Sequence, residues 1–305
     1  MQTSEATNQI DKKPTSGFSK SFKRWRFLLF KSKTGTVGVF TLLIITLIAI
    51  LAPLLSPHAP DAVNAVDRLQ PPVWLEGGTM TYILGTDHLG RDILTRLFYG
   101  AQVSLLVGIS SVVVAGIIGV TVGLIAGYYG GFIDNVFMRI VDSFLSIPNI
   151  LFALVILSIF SPGMLTLIVV LGVTNWVNYA RLIRGEVLTL KEREFIKAAT
   201  SIGVRKGKII VRHLLPNVMS SFIVISTLTV ATTIILETSL SFLGLGIQPP
   251  QVSWGGILAD GRDYLATSWW LATFPGIAIT ITVLAVIFVG DWLRDVLDPR
   301  SVAKR

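Results

Sequence analysis

Cysteine is absent from the 305 residues, and histidine occurs only three times. Without cysteine there is no disulfide framework, thiol nucleophile or Cys-ligated metal centre. His58, His88 and His213 are too scattered along the chain to form a metal site, so none is expected. Charge is scarce too, at 14% of residues against roughly a quarter in soluble domains. There is no Gly-x4-Gly-Lys-Ser/Thr loop. Gly244-x-Gly246 lacks the third glycine and the preceding strand of a dinucleotide turn. The chain is therefore expected to bind no nucleotide, and no catalytic residue is predicted.

What is abundant is apolar sequence: 52% of residues are hydrophobic. A membrane-crossing helix needs about 20 mostly apolar residues. Val37–Leu55, Leu97–Ile133, Ser143–Ala180, Leu214–Leu236 and Tyr264–Gly290 are free of charge. Two of these stretches are long enough for more than one helix. Gly127-Tyr128-Tyr129-Gly130-Gly131 interrupts one and Ser161-Pro162-Gly163 the other, as turn residues do. The pattern predicts an all-α integral membrane protein with six spans, near 37–55, 102–126, 135–160, 164–183, 217–241 and 273–293. No small-x-small cleavage site follows the first apolar run, so it is expected to remain in the mature chain.

The net charge of +8 is distributed as a topology signal. If both termini are cytoplasmic, 22 of the 26 Lys and Arg fall on the inner side and only Arg68, Arg91, Arg96 and Arg262 outside. Nucleic-acid binding is accordingly not expected. The chain divides into an inner N-terminal tail (1–36), a first span with its external loop (37–101), a core (102–293) and an inner C-terminal tail (294–305). Residues 1–17 are polar and expected to be disordered. Phe18, Phe22, Trp25 and Leu29 recur at helical spacing among basic residues, the pattern of a helix lying in the membrane interface.

Other segments carry two readings each. In the external loop, Thr86 or Asp87 can cap a short helix bearing Ile93, Leu94, Leu97 and Phe98. Asp87, Arg91 and Asp92 then either scaffold the loop or contact an external partner. Ser111, Ala115, Gly119, Gly123 and Gly127 recur every four residues, which lets another helix approach closely. Glu237, the one acidic residue inside a predicted span, lies on the translocation path or serves packing near the outer, water-accessible end of its helix. Trp254, Trp269 and Trp270 either anchor at the membrane interface or line an outer gate. Asp291, Arg294, Asp295 and Arg300 either pair at the inner surface or form a latch. Asp134, Arg139 and Asp142 mark the inner end of the third span.

The inner segment 184–216 is the most informative. Residues 189–202 read as a short helix with Phe195, Ala198, Ala199 and Ile202 on one stripe, and Gly203 sits where a left-handed cap belongs. A basic helical stretch leads to Pro216, placed to open the next span. The small Ala198-Ala199 face suits a cleft in a soluble partner.

Lys197-Ala198-Ala199, three residues, Gly203, nine residues and His213-Leu214-Leu215-Pro216 resemble the Glu-Ala-Ala…Gly…Ile-x-Leu-Pro motif of ATP-binding-cassette (ABC) importer permeases. Lys197 replaces Glu and His213 replaces Ile. Gly85–Asp92 with Tyr99-Gly100-Ala101, Tyr128–Gly131 with Arg139 and Asp142, Ser239–Pro250, and Gly290–Arg300 are similar to the dipeptide/oligopeptide/nickel group, "C"-type subunit. The resemblance implies the type I importer (MetI-like) fold in a bacterial or archaeal cell membrane. It further implies a homologous second permease, two ATPases that bind ATP and Mg, and an extracytoplasmic solute-binding protein. In that family the segment holding Phe195, Lys197, Ala198, Ala199, Gly203 and Pro216 is the coupling helix. Short peptides are the expected substrate, with nickel or metal chelates and other small solutes as alternatives. A secondary transporter would show inverted repeats or midplane charge pairs, and an intramembrane enzyme a nucleophile with a base; neither is evident.

Overall fold

The computed structural model of the chain describes residues 29, 30 and 32–297. The aromatic basic helix expected around Phe18, Phe22 and Trp25, and the tail carrying Arg300, lie outside the described residues. Regular structure among the described residues is helical, apart from one isolated bridge between Thr86 and Asp92. Five helices are long and apolar enough to cross a membrane, and a bent pair makes up to six when its two helices are counted as one span.

Helix α1 (Lys33–Leu55) starts at Ser32, whose hydroxyl accepts the Gly35 N–H. Gly35 and Gly38 bring it against the last helix. A Cβ on Gly35 would lie 2.7 Å from Trp292, and one on Gly38 2.9 Å from the Ala285 carbonyl.

Helix α2 (Ile93–Tyr129) runs for 37 residues, about 55 Å. The short external helix expected before the second span is simply its first turns. Its cap is Asp92, not Thr86 or Asp87: the carboxylate accepts the N–H groups of Leu94 and Thr95 and the Thr95 hydroxyl. Gly100 does not break the helix. It is the site where Trp254 approaches, 2.7 Å from where a Cβ would stand.

The third span is broken, contrary to the single helix expected over 135–160. Helices α3 (Gly131–Leu145) and α4 (Asn149–Ile159) meet at 86°. Pro148 causes the break, because it lacks an N–H and disfavours helical backbone at Ile147. Helix α4 covers about 16 Å, roughly half the hydrocarbon thickness.

Helix α5 (Met164–Lys191) packs in parallel on α2, and the four-residue stripe is the seam. Ser111, Ala115, Gly119, Gly123 and Gly127 are all buried. A Cβ on Gly119 would stand 2.5 Å from the Trp176 carbonyl, on Gly123 2.8 Å from that of Ala180, and on Gly127 3.1 Å from that of Arg184. The contact points climb both helices together. The stripe's partner, which spacing alone left unnamed, is the fourth span of the same chain.

Two short helices follow, α6 (Glu194–Ser201) and α7 (Lys206–Ile209), then a π turn (Ile210–Leu214) and α8 (Leu215–Phe242). Pro216 stands in the first turn of α8 as expected, and the helical path continues back through the π turn to Lys206. The wider turn absorbs the proline: Leu215 N–H reaches the Ile210 carbonyl, five residues back. Helix α9 (Trp254–Gly261) and the final span α10 (Trp270–Leu297) complete the bundle.

Candidate functional site

The basic segment between α5 and α8 carries α6, whose eight residues present two faces. Ile196 is 2% exposed and sits with Ile183, Val187, Ile209 and Leu214 in one apolar cluster. Ala199, three positions on, is buried on the same side. Phe195, Lys197, Ala198 and Ile202 are exposed, Ile202 by 79%. The expected stripe is thus corrected at one position. Ala199 packs inward, because Ile196 anchors the helix and Ala199 shares its face.

The helix ends as predicted. Gly203 has φ of 76°, its N–H donates to Thr200 O and that of Val204 to Ala199 O, which is the full Schellman pattern. Lys197 Nζ lies 2.8 Å from Glu192 Oε2, and this ammonium holds the exposed Glu192 carboxyl below the usual carboxylate range. Pro216 is exposed on the helix beyond.

Polar ties connect this end of the bundle to the turn after α2. Lys191 Nζ donates to Tyr128 O at 2.8 Å, and Lys206 stands 5.8 Å from the Tyr129 ring centroid. Arg184 grips Asp134 through two hydrogen bonds of 2.5 and 2.6 Å, and Arg181 meets Asp142 at 2.6 Å. Sequence spacing singled out the two aspartates but named neither partner. Beside this region a cavity of about 470 Å³ opens between α5, α8 and α10, with Ser221, Asp291 and Arg294 on its wall.

At the opposite end several charged groups are interior. Glu237 is 1% exposed, so the expectation that it reaches water is corrected. Its Oε1 accepts the hydroxyls of Ser241 at 2.7 Å and Ser253 at 2.8 Å. The Ser253 oxygen in turn accepts Gly256 N–H, so Glu237 fastens the capped start of α9 to α8. Two of the three tryptophans are not interfacial anchors. Trp254 and Trp270 are buried, donating their indole N–H to Leu97 O and Thr86 O, whereas Trp269 is 40% exposed. Their indoles tie distant segments at this end of the bundle to one another, which a count of aromatics near a span does not reveal.

Asp87, Arg91 and Asp92 belong to a buried scaffold. Asp87 Oδ1 accepts the N–H groups of Leu89 and Arg91, and its Oδ2 meets Arg91 Nε at 2.6 Å. Asp260 on α9 receives both Arg91 and Arg96 at 3.0 Å. Sequence reasoning missed Arg96 and Asp260, since 164 residues separate them and no local spacing links them. The fold also gathers Asp87, His88 and Asp260 with ligand atoms within 4.8 Å of one another.

Residues 119–302 match the family model described as binding-protein-dependent transport system inner membrane component. Residues 22–72 match the N-terminal TM domain of oligopeptide transport permease C. A dipeptide transport system permease protein of Bacillus subtilis is 40% identical over 97% of this chain and 91% of its own length. A di/tripeptide transport system permease protein of Pseudomonas aeruginosa is 40% identical over 88% of this chain and 89% of its own. A chain of the inward-facing MetNI methionine ABC transporter superposes with a TM-score of 0.54 at 22% identity, covering 68% of this chain and 98% of that one. This last likeness bears on the fold.

Spans, fold and relatives together define a multi-pass membrane protein of the ABC importer permease class. The chain belongs to the binding-protein-dependent transport system inner membrane component family.

Proposed function

We propose that this permease forms half of the translocation path of an importer for short peptides. Its N- and C-termini lie in the cytoplasm, and α6 couples it to one of two ATPases. ATP and Mg are bound by those partners, an extracytoplasmic protein delivers the solute, and a homologous second permease completes the path. The chain itself carries no catalytic site.

The observation that carries the coupling assignment is the two-faced α6. Ile196 and Ala199 root it in the bundle core, leaving Phe195, Ala198 and Ile202 as an apolar edge with no cover among the described residues of its own chain. A helix displaced by a partner must be fixed on one side and free on the other. The cation-rich segment around it agrees with the inner side of a membrane. The peptide assignment is drawn from the relatives named for dipeptide and di/tripeptide transport.

The test is affinity purification of the tagged chain, solubilised from its own membrane, with mass spectrometry of what accompanies it. A second permease and one or two ATPases are expected, with a cross-linker placed at Ile202 reaching an ATPase. A chain that purifies alone and cross-links to no ATPase would overturn the reading.

A further inference from the structure

A second cavity, of about 370 Å³, lies at the end of the bundle opposite α6, between the start of α2, the end of α8 and α9. Arg91, Arg96, His88, Gln248, Ser253 and Asp260 are on its wall. Arg96 is 4% exposed, yet its donors are only partly used. Nη2 donates to Asp260, Nη1 is 3.5 Å from Asp87 Oδ2, and neither Nη1 nor Nε has a hydrogen-bond partner. His88 Nδ1 is also buried without one. Buried donors left unmatched are costly, the more so on a charged group. Asp87 meets Arg96 only as an ion pair at 3.5 Å, its Oδ1 accepting Leu89 and Arg91 N–H and its Oδ2 the closer Arg91 Nε. Glu237 Oε1 is bound to Ser241 and Ser253, and its Oε2 is itself buried without a hydrogen-bond partner.

We propose that this cavity binds a carboxylate, seated against the unused N–H groups of Arg96, with His88 as a second donor in the tautomer that protonates Nδ1. A metal ion fits the same place poorly. Asp87 and Asp260 each already face guanidinium groups, so a cation at Asp87, His88 and Asp260 would sit beside Arg91 and Arg96. The carboxylate belongs either to a free solute or to an acidic side chain of a protein docked on this end.

The experiment uses the full-length chain in lipid nanodiscs, titrated with N-acetylalanine and, as control, its amide. Neither probe is a peptide substrate, so the outcome does not depend on the peptide reading. The acid binds and the amide does not. Asp260→Asn, which releases Arg96 from a competing carboxylate, strengthens binding several-fold, while Arg96→Gln weakens it about tenfold or more. A purely structural network would lose affinity in both variants. Should Arg96→Gln fail to give a monodisperse preparation, the gain in Asp260→Asn and retention of binding in Arg96→Lys decide the question. If N-acetylalanine displaces the extracytoplasmic partner from the nanodiscs, that partner supplies the carboxylate; if both bind together, it is a free solute. Equal binding of acid and amide, or no gain in Asp260→Asn, overturns the proposal.

Discussion

Ala198 and Ala199 are neighbours in sequence and face opposite ways. An arginine at 199 must place its guanidinium beside Ile196 in an apolar cluster, and an unpaired charge there costs about 3 kcal/mol or more. Ala199→Arg is therefore expected to lower the thermal midpoint of the purified chain. Ala198→Arg leaves that midpoint unchanged and removes stimulation of the ATPase. Thermal unfolding and ATPase assays on the two variants separate the roles. The Glu192–Lys197 pair gives a complementary expectation. A carboxyl held low by an ammonium keeps its charge above the ordinary carboxylate value, and the pair is lost only as pH falls through the depressed one. Both groups are exposed, so the pair adds little. ATPase profiles of wild type and Glu192→Gln between about pH 6 and about pH 8 should coincide.

The same contrast explains what residues disclose in sequence. Gly203 was legible because one backbone conformation demands one residue type. The inward turn of Ala199 was not, because two adjacent alanines carry no sign of which one meets the core. Arg96 and Asp260 meet only through the fold, and Glu237 gives no outward mark of the two serines that bury it.

At the scale of elements, the seam between α2 and α5 is the most extensive helix contact described. Carbonyl oxygens of Trp176 and Ala180 fill the space a side chain would need at Gly119 and Gly123. Gly119→Leu forces the helices apart and is expected to cost about 3 kcal/mol or more, read as loss of the monodisperse peak in size-exclusion chromatography. Gly131→Ala serves as a control, because nothing lies within 4 Å of its Cβ and only the backbone conformation at φ 56° is strained. Small residues every four positions are a one-dimensional signal, so this seam was readable before its partner was known. Apolar runs located the spans for the same reason. The break at Pro148 is not marked by charge, and hydropathy does not register direction; Pro148-Asn149 is its one local signal. The joining of α7 to α8 through a π turn escaped notice because Pro216 looks like a start when only its missing N–H is weighed.

For the whole molecule, the absence of cysteine makes topology directly measurable, as any introduced thiol is the sole one. Val66 is 91% exposed in the loop after α1, and Ile202 lies at the far end of the bundle. Val66→Cys should react with a membrane-impermeant maleimide on intact cells, and Ile202→Cys only after the membrane is opened. The reverse pattern would invert the assignment of α6 to the cytoplasm.

The parallel run of α2 and α5 has a consequence for how the chain is made. Two neighbours pointing the same way must be joined by a segment that recrosses the bilayer, and here that segment is the bent α3–α4 pair. Helix α4, at 11 residues, is too short to be accepted by the insertion machinery as a crossing by itself. Its emergence from the ribosome cannot commit it to the lipid. Insertion of the third crossing is therefore expected to depend on α5, whose glycine-seamed contact with α2 offers it a packed neighbour. A later helix finding an earlier one is the expected step in the biogenesis of this half, and truncation before α5 should leave the third crossing uninserted.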